Sequence, residues 1–192
     1  MDKRQLLLPG DVLLLFNPLQ IDFSGRGAAA ISFKENVETG KNHGVFLNGE
    51  NNTVRKFVHK QTVETLTQAG AVNENRCVDI DTGAVIFSVE MLDALYSLIK
   101  TDKLYYKYVN NTGRLSLYGD CLYPLAEDST LEDNYQEKPE GSFCPELHNA
   151  RSVVWETLRP FRLKLLRLAP AKFIHFGTTR EILALMGGGT KE

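Results

Sequence analysis

Several short stretches of this sequence carry residue types suited to phosphate chemistry. Gly10-Asp11 stands at the mouth of an apolar run, where a carboxylate would hold a hard cation such as Mg²⁺. Pro9-Gly10-Asp11 is equally a common turn. Lys60 closes the run VRKFVHK at a strand-to-helix junction. Its ammonium would either neutralise a phosphate or stand as an ordinary solvated charge. Asp81-Thr82-Gly83 puts small residues inside a strand, which marks either a close ligand approach to the backbone or a packing bulge. In FIHFGTTREIL, residues 173–183, an apolar strand around His175 turns at Gly177 into a helix. Thr178 and Glu181 have the spacing of a capping box, and the free N–H groups of such a helix start suit an anion. Tyr118-Gly119-Asp120 either offers a hydroxyl and a carboxylate to a sugar or begins a helix capped by Asp120.

Other chemistries lack their residues. The sequence has no nucleophile elbow, no HExxH and no Walker A loop. His43 and His59 would face each other across a hairpin, but the cysteines needed to complete a zinc set are remote. His175, between apolar strand residues, reads as a core histidine. Positioning and charge neutralisation are what remain, rather than covalent catalysis.

Composition sets the frame. The 192 residues suffice for one domain with a proper core, and 43% hydrophobic with 24% charged residues is ordinary for a globular chain. A formal net charge of −2 with no basic run argues against nucleic acid as a partner. No apolar run approaches a membrane span, and no signal peptide is recognisable. The three cysteines, Cys77, Cys121 and Cys144, are widely spaced and predict reduced thiols in a cytoplasmic protein.

The elements that would position these residues alternate between strand and helix. Residues 5–16 read as a strand broken at Pro9-Gly10-Asp11, with VLLLF typical of a strand buried on both faces. Residues 28–33 form a second buried run, and residues 34–42 a polar loop. Residues 43–47 and 54–59 pair as a hairpin. Thr62 caps a short helix ending at Gly70, and Ser88 caps a longer one with Met91, Leu95, Leu98 and Ile99 at helical spacing. Residues 78–87 form the strand that holds Asp81-Thr82-Gly83. Residues 105–122 are rich in aromatics and give no clear pattern, and residues 128–143 read as loop. Pro145 opens a helix with Leu147, Ala150, Val154 and Leu158 on one face. Residues 161–168 and 172–176 are further strands, followed by a helix over residues 179–186 and a frayed end at residues 187–192. The pattern predicts an α/β domain with a mixed sheet.

Taken in order, GDVLLLF, HGVF with VRKFVHKQTVETL, DIDTGAVIFS, YGDCLYPLAED and FIHFGTTREIL resemble the L-fucokinase/GDP-fucose pyrophosphorylase family. The likeness runs from about Gly10 to Leu183 and is nearest to the bifunctional bacterial members. It implies a Rossmann-like, GT-A type nucleotidyltransferase domain. The implied reaction joins L-fucose 1-phosphate to GTP, with Mg²⁺, giving GDP-fucose and pyrophosphate. By the same resemblance Asp11 holds the metal, Gly44 lies against the sugar, Lys60 contacts the sugar phosphate, and Thr82 and Gly83 line the sugar pocket. Asp120, His175, Gly177 and Thr178 complete the expected substrate-binding set. His175 stands where simpler nucleotidyltransferases carry an aspartate ahead of Gly-Thr, and Gln61 replaces a proline that commonly follows the lysine.

Such enzymes begin with a glycine-rich loop that grips the triphosphate, and this sequence has none. The β-helical region and the sugar-kinase domain expected downstream are likewise absent from it. The expectation is therefore the sugar-phosphate side of a larger enzyme, incomplete at its N-terminus. Its alternative is a non-catalytic fragment that binds a sugar phosphate or sugar nucleotide, or that packs between domains.

Overall fold

The computed structural model describes residues 4–109 and 112–175, with residues 180, 183, 186 and 187 beyond them. The strands among the described residues are β1 (Arg4–Leu7), β2 (Val12–Phe16), β3 (Gly27–Asn36), β4 (Gly44–Asn48), β5 (Val54–His59), β6 (Cys77–Ser88), β7 (Arg162–Arg167) and β8 (Ala171–His175). The described α-helices are α1 (Val37–Gly40), α2 (Val63–Gln68), α3 (Val89–Ser97), α4 (Asp102–Tyr108), α5 (Leu131–Gln136) and α6 (Pro145–Leu158). A wider, π-helical turn spans Leu117–Leu122.

The helices start where side-chain oxygens can take up orphan amides. Thr62 accepts from the Thr65 amide, Ser88 from Met91, Thr101 from Leu104 and Thr130 from Asp133. Ser88 Oγ also accepts from the Gly27 amide at 3.0 Å, which ties the start of α3 to the entry of β3. Pro145 stands in the first turn of α6, and the Cys144 sulfur accepts from the Leu147 amide. The three cysteines are unbridged.

The main sheet runs β5-β4-β6-β3-β7, with β1 paired to the second half of β6. Only β3 and β7 are parallel among the described strand pairs. The α/β arrangement with a mixed sheet is present, in a mostly antiparallel form. One face carries the larger core, where Ala28, Ala30, Phe46, Val85 and Leu165 pack under Met91 of α3 and Val154 and Leu158 of α6. The small residues of β3 let the helices sit close to the strands. The other face is covered by Leu66 of α2 and by the β2–β8 ribbon.

Three expectations are corrected. VLLLF is not buried on both faces: β2 pairs with β8 as a separate ribbon, so Leu14 and Phe16 pack on the sheet while Leu13 and Leu15 are exposed. Residues 34–42 are not simply a loop, because β3 continues to Asn36, whose side chain caps α1. Residues 128–143 hold α5, where the local cap at Thr130 outweighs a polar composition. The expected helix over residues 179–186 lies largely outside the described residues. Among the described residues no helix is long and apolar enough to cross a membrane.

Candidate active site

The long central strand β6 is interrupted in its middle. Against β3, Ser32 pairs with Asp81 and Ala30 with Val85, so Thr82, Gly83 and Ala84 stand opposite the single residue Ile31. On the other edge, β4 pairs at Asp79 and Ile80 and β1 resumes at Val85. The backbone of residues 81–84 therefore lies between two partners. Its kink is held by local hydrogen bonds. Thr82 Oγ1 donates to the Ile31 carbonyl at 2.7 Å and accepts from the Ala84 amide at 3.2 Å, and the Gly83 amide donates to Asp81 Oδ1 at 2.9 Å. Gly83 adopts φ +77°, and a methyl group there would lie 2.8 Å from Pro9 Cγ. Glycine is thus required twice, for the left-handed backbone and for the close approach of the Pro9-Gly10-Asp11 turn.

Gly44 meets the same region from β4. It is buried, and a methyl there would sit 2.6 Å from the Phe57 ring and 3.2 Å from Asp81 Cβ. Phe57 stacks on Tyr118 at 5.5 Å between ring centroids and on His59 at 6.4 Å. The Tyr118 phenol and the Asp81 carboxylate lie close enough to act on each other electrostatically. Asp81 has no cation partner among the described residues. Burial pushes its pKa up to about 6, against the opposing pull of the Gly83 amide and the Tyr118 hydroxyl. Burial, and then the Asp81 charge, push the Tyr118 phenol well above its ordinary range.

Lys60 stands just past the end of β5, at φ +49°, with its amide donating to the His43 carbonyl at 3.0 Å. Its exposed side chain lines an open cleft of about 860 Å³ together with Lys41, Asn42, Thr62 and Arg76. No described acidic group makes an ion pair with it. Burial, and then the Lys60 charge, lower the pKa of His59. His43 turns the other way, with its ring edge-on to Phe173 of β8 at 6.0 Å.

The family model described as "Fucose pyrophosphorylase domain" matches residues 2–191. This chain belongs to the fucose pyrophosphorylase domain family. It is 28% identical over 189 residues to the human fucose-1-phosphate guanylyltransferase, an alignment covering 85% of this chain and 31% of that protein. Identity to the mouse fucose-1-phosphate guanylyltransferase is 24% over 186 residues, covering 85% of this chain and 32% of the relative. The chain thus spans about a third of the length of the curated relatives it matches.

Within this fucose pyrophosphorylase domain the residues singled out in the sequence fall into separate places. The Asp11 turn, Gly83 and Gly44 converge on the kink of β6, and His175 is set opposite Val12, the residue after Asp11. Thr82 is there too, but its hydroxyl is turned inward to the β3 backbone. Lys60 follows His59, the register partner of Gly44, and opens onto its own cleft. Asp120 is elsewhere. It is fully buried, its oxygens taken by Arg151 Nε at 2.7 Å and by the Ser116 amide at 2.6 Å, and Ser116 rather than Asp120 caps the turn. Gly177 and Thr178 lie outside the described residues. Among the described residues no three His, Cys, Asp or Glu side chains gather as a metal-binding group. Within Asp81-Thr82-Gly83 the sequence assigned roles to Thr82 and Gly83 and none to Asp81. A second acid two positions after Asp79, in an otherwise apolar strand, was the available signal.

Proposed function

We propose that this chain forms the sugar-phosphate side of a fucose-1-phosphate guanylyltransferase, making GDP-fucose from GTP and L-fucose 1-phosphate in fucose salvage. The observation that carries the reading is the packing of Pro9 on Gly83, in a chain that matches the family from residue 2 to residue 191. That contact brings the Asp11 turn to the kinked strand, where Gly44 also meets it. We read the mixed sheet as part of a GT-A type, Rossmann-like domain. The curated relatives extend well beyond the matched stretch, and the grip on the guanine nucleotide's triphosphate is assigned there.

In this reading the sugar 1-phosphate oxygen attacks the α-phosphorus of GTP in line, and pyrophosphate leaves. Lys60 places a positive charge beside the sugar phosphate and lowers the repulsion between the converging anions. The ammonium is suited to that role because no acid among the described residues pairs with it. Asp11 fits Mg²⁺ by donor type, a carboxylate at an exposed turn, since that cation is commonly held by one or two carboxylates plus substrate phosphates. When bound, the cation would supply charge neutralisation for the phosphates. Gly83 and Gly44 let Pro9 and Phe57 pack against the kink that we place beside the sugar.

Calorimetric titration with L-fucose 1-phosphate is the direct test. Lys60→Ala should weaken binding about tenfold or more, the scale of one charge-assisted contact, with little change in melting temperature. Equal loss of binding and folding removes the assigned role. Pyrophosphate release from GTP plus L-fucose 1-phosphate that vanishes in Asp11→Ala shows a complete catalyst. Binding without release supports the non-catalytic reading.

A further inference from the structure

We infer that Asp81 and Tyr118, over the ring of Phe57, form the subsite that reads the hydroxyl groups of the monosaccharide. This rests on the sugar-phosphate reading above but goes past it, because it assigns recognition of the sugar itself to residues on two separate elements. Asp81 comes from the kinked strand and Tyr118 from the π-helical turn at Leu117–Leu122.

The argument begins with hydrogen-bond capacity. An ionised carboxylate offers roughly four acceptor sites. At Asp81 the protein supplies the Gly83 amide, with the Tyr118 hydroxyl nearby, and no cation among the described residues. Asp81, Tyr118 and Phe57 are each half-buried residues, so the cluster is not sealed within the core. A carboxylate short of donors matches a ligand rich in O–H groups. Tyr118 adds a hydroxyl that can accept from one sugar O–H. Phe57, Tyr118 and His59 stand in one stack, an apolar neighbour of the kind that suits the C–H side of a sugar.

The support beneath Tyr118 is rigid. Asp120 is salt-bridged to Arg151 of α6, Ser116 Oγ accepts from the Gly119 amide at 2.9 Å, and Asn134 donates to the Gly119 carbonyl at 2.6 Å. The turn around Tyr118 is thereby held, which fixes the place of the phenol near Asp81 without help from a ligand. Asp120 acts through this turn as a positioning residue, while Asp81 makes the contact with the sugar that the sequence alone would have allowed for Asp120.

The test compares three probes, L-fucose 1-phosphate, free L-fucose and inorganic phosphate, by titration followed in the amide resonances of Gly83 and residues 117–119. Asp81→Asn and Tyr118→Phe are the variants, with melting curves run alongside; Tyr118→Phe keeps the ring stack and removes only the hydroxyl. Both should weaken L-fucose 1-phosphate binding about tenfold or more and leave the response to inorganic phosphate unchanged, whereas Lys60→Ala weakens both phosphate probes. If Lys60→Ala acts and the two variants do not, the sugar subsite is wrong and the phosphate reading survives. If L-fucose shifts Gly83 in the wild type but not in Asp81→Asn, while neither phosphate probe responds to Lys60, the phosphate reading fails and the subsite stands. No shift at Gly83 with either sugar overturns the subsite outright.

Discussion

Asp79 and Asp81 lie two residues apart on one strand and in opposite electrostatic circumstances. Asp79 is buried, yet it receives Lys34 Nζ at 3.0 Å and both Nε and Nη2 of Arg167 at 3.0 Å. These contacts join β6 to its neighbour β3 and to β7 beyond. Asp81 has one backbone amide, one nearby phenol and no cation among the described residues. The buried pair Asp120–Arg151, beneath α6, resembles Asp79 and not Asp81. Where a carboxylate is matched, the fold explains it. An unmatched one in a partly open kink is a cost that folding alone does not explain.

The largest effect is expected at the fully buried pair. Asp120→Ala leaves the Arg151 guanidinium buried with only backbone carbonyls, and should lower unfolding stability by roughly 3–5 kcal/mol, the scale for breaking such a pair. Chemical denaturation measures it. A loss below about 1 kcal/mol, the scale of an exposed pair, would show that the node is not a structural anchor and would erase its contrast with Asp81.

Next is Asp81→Asn, whose sign is opposite. A carboxyl raised from 3.8 to about 6 binds its proton more tightly in the folded chain than in the unfolded one. Its contribution to stability is therefore fully present below about pH 4 and is lost as the pH rises through 6. Trimmed for partial contact with water, the ionised group costs the fold about 2 kcal/mol at pH 8. Asparagine keeps the acceptor for the Gly83 amide, so the variant should gain about that much at pH 8 and nothing at pH 4. Denaturation curves at the two pH values decide it. A loss of stability at pH 8 would mean that Asp81 is matched by a group outside the described residues.

Asp79→Asn is expected to cost less than the Asp120 change, on the order of 1–2 kcal/mol. Its two cations keep a route to water, with side chains 44% and 27% exposed. The loss should also shrink in molar salt, because partly exposed pairs are screened. A salt-independent loss as large as that of Asp120→Ala would place both aspartates in one class.

How much of this was legible in the sequence follows the range of the interactions. Thr62, Ser88 and Pro145 act within one helical turn, and each does in the structure what its local spacing implied. The hairpin and the strand holding Asp81-Thr82-Gly83 were equally local. The burial of β2 was not, because an apolar pentapeptide does not say whether it joins a sheet or lies across one. Asp120 was open to two readings because its partner Arg151 is 31 residues away and on another element. Gly83 showed that something approaches closely, and only the fold names Pro9 as what does.

Lys60 supplies the smallest effect and the cationic counterpart of Asp81. It holds φ +49°, a conformation in which L-residues other than asparagine or aspartate are strained, and no described acid pairs with its ammonium. Replacement by glycine relieves the backbone and frees the unfolded chain, two effects of opposite sign and similar size, so Lys60→Gly should change stability by less than about 1 kcal/mol. A lysine that held the fold together would behave differently, with a clear drop in melting temperature. If stability is unchanged while L-fucose 1-phosphate binding falls, the unmatched lysine and the unmatched aspartate form one pattern. Each is then an ionised group that the fold holds in place for a ligand, one for the phosphate and the other for the sugar.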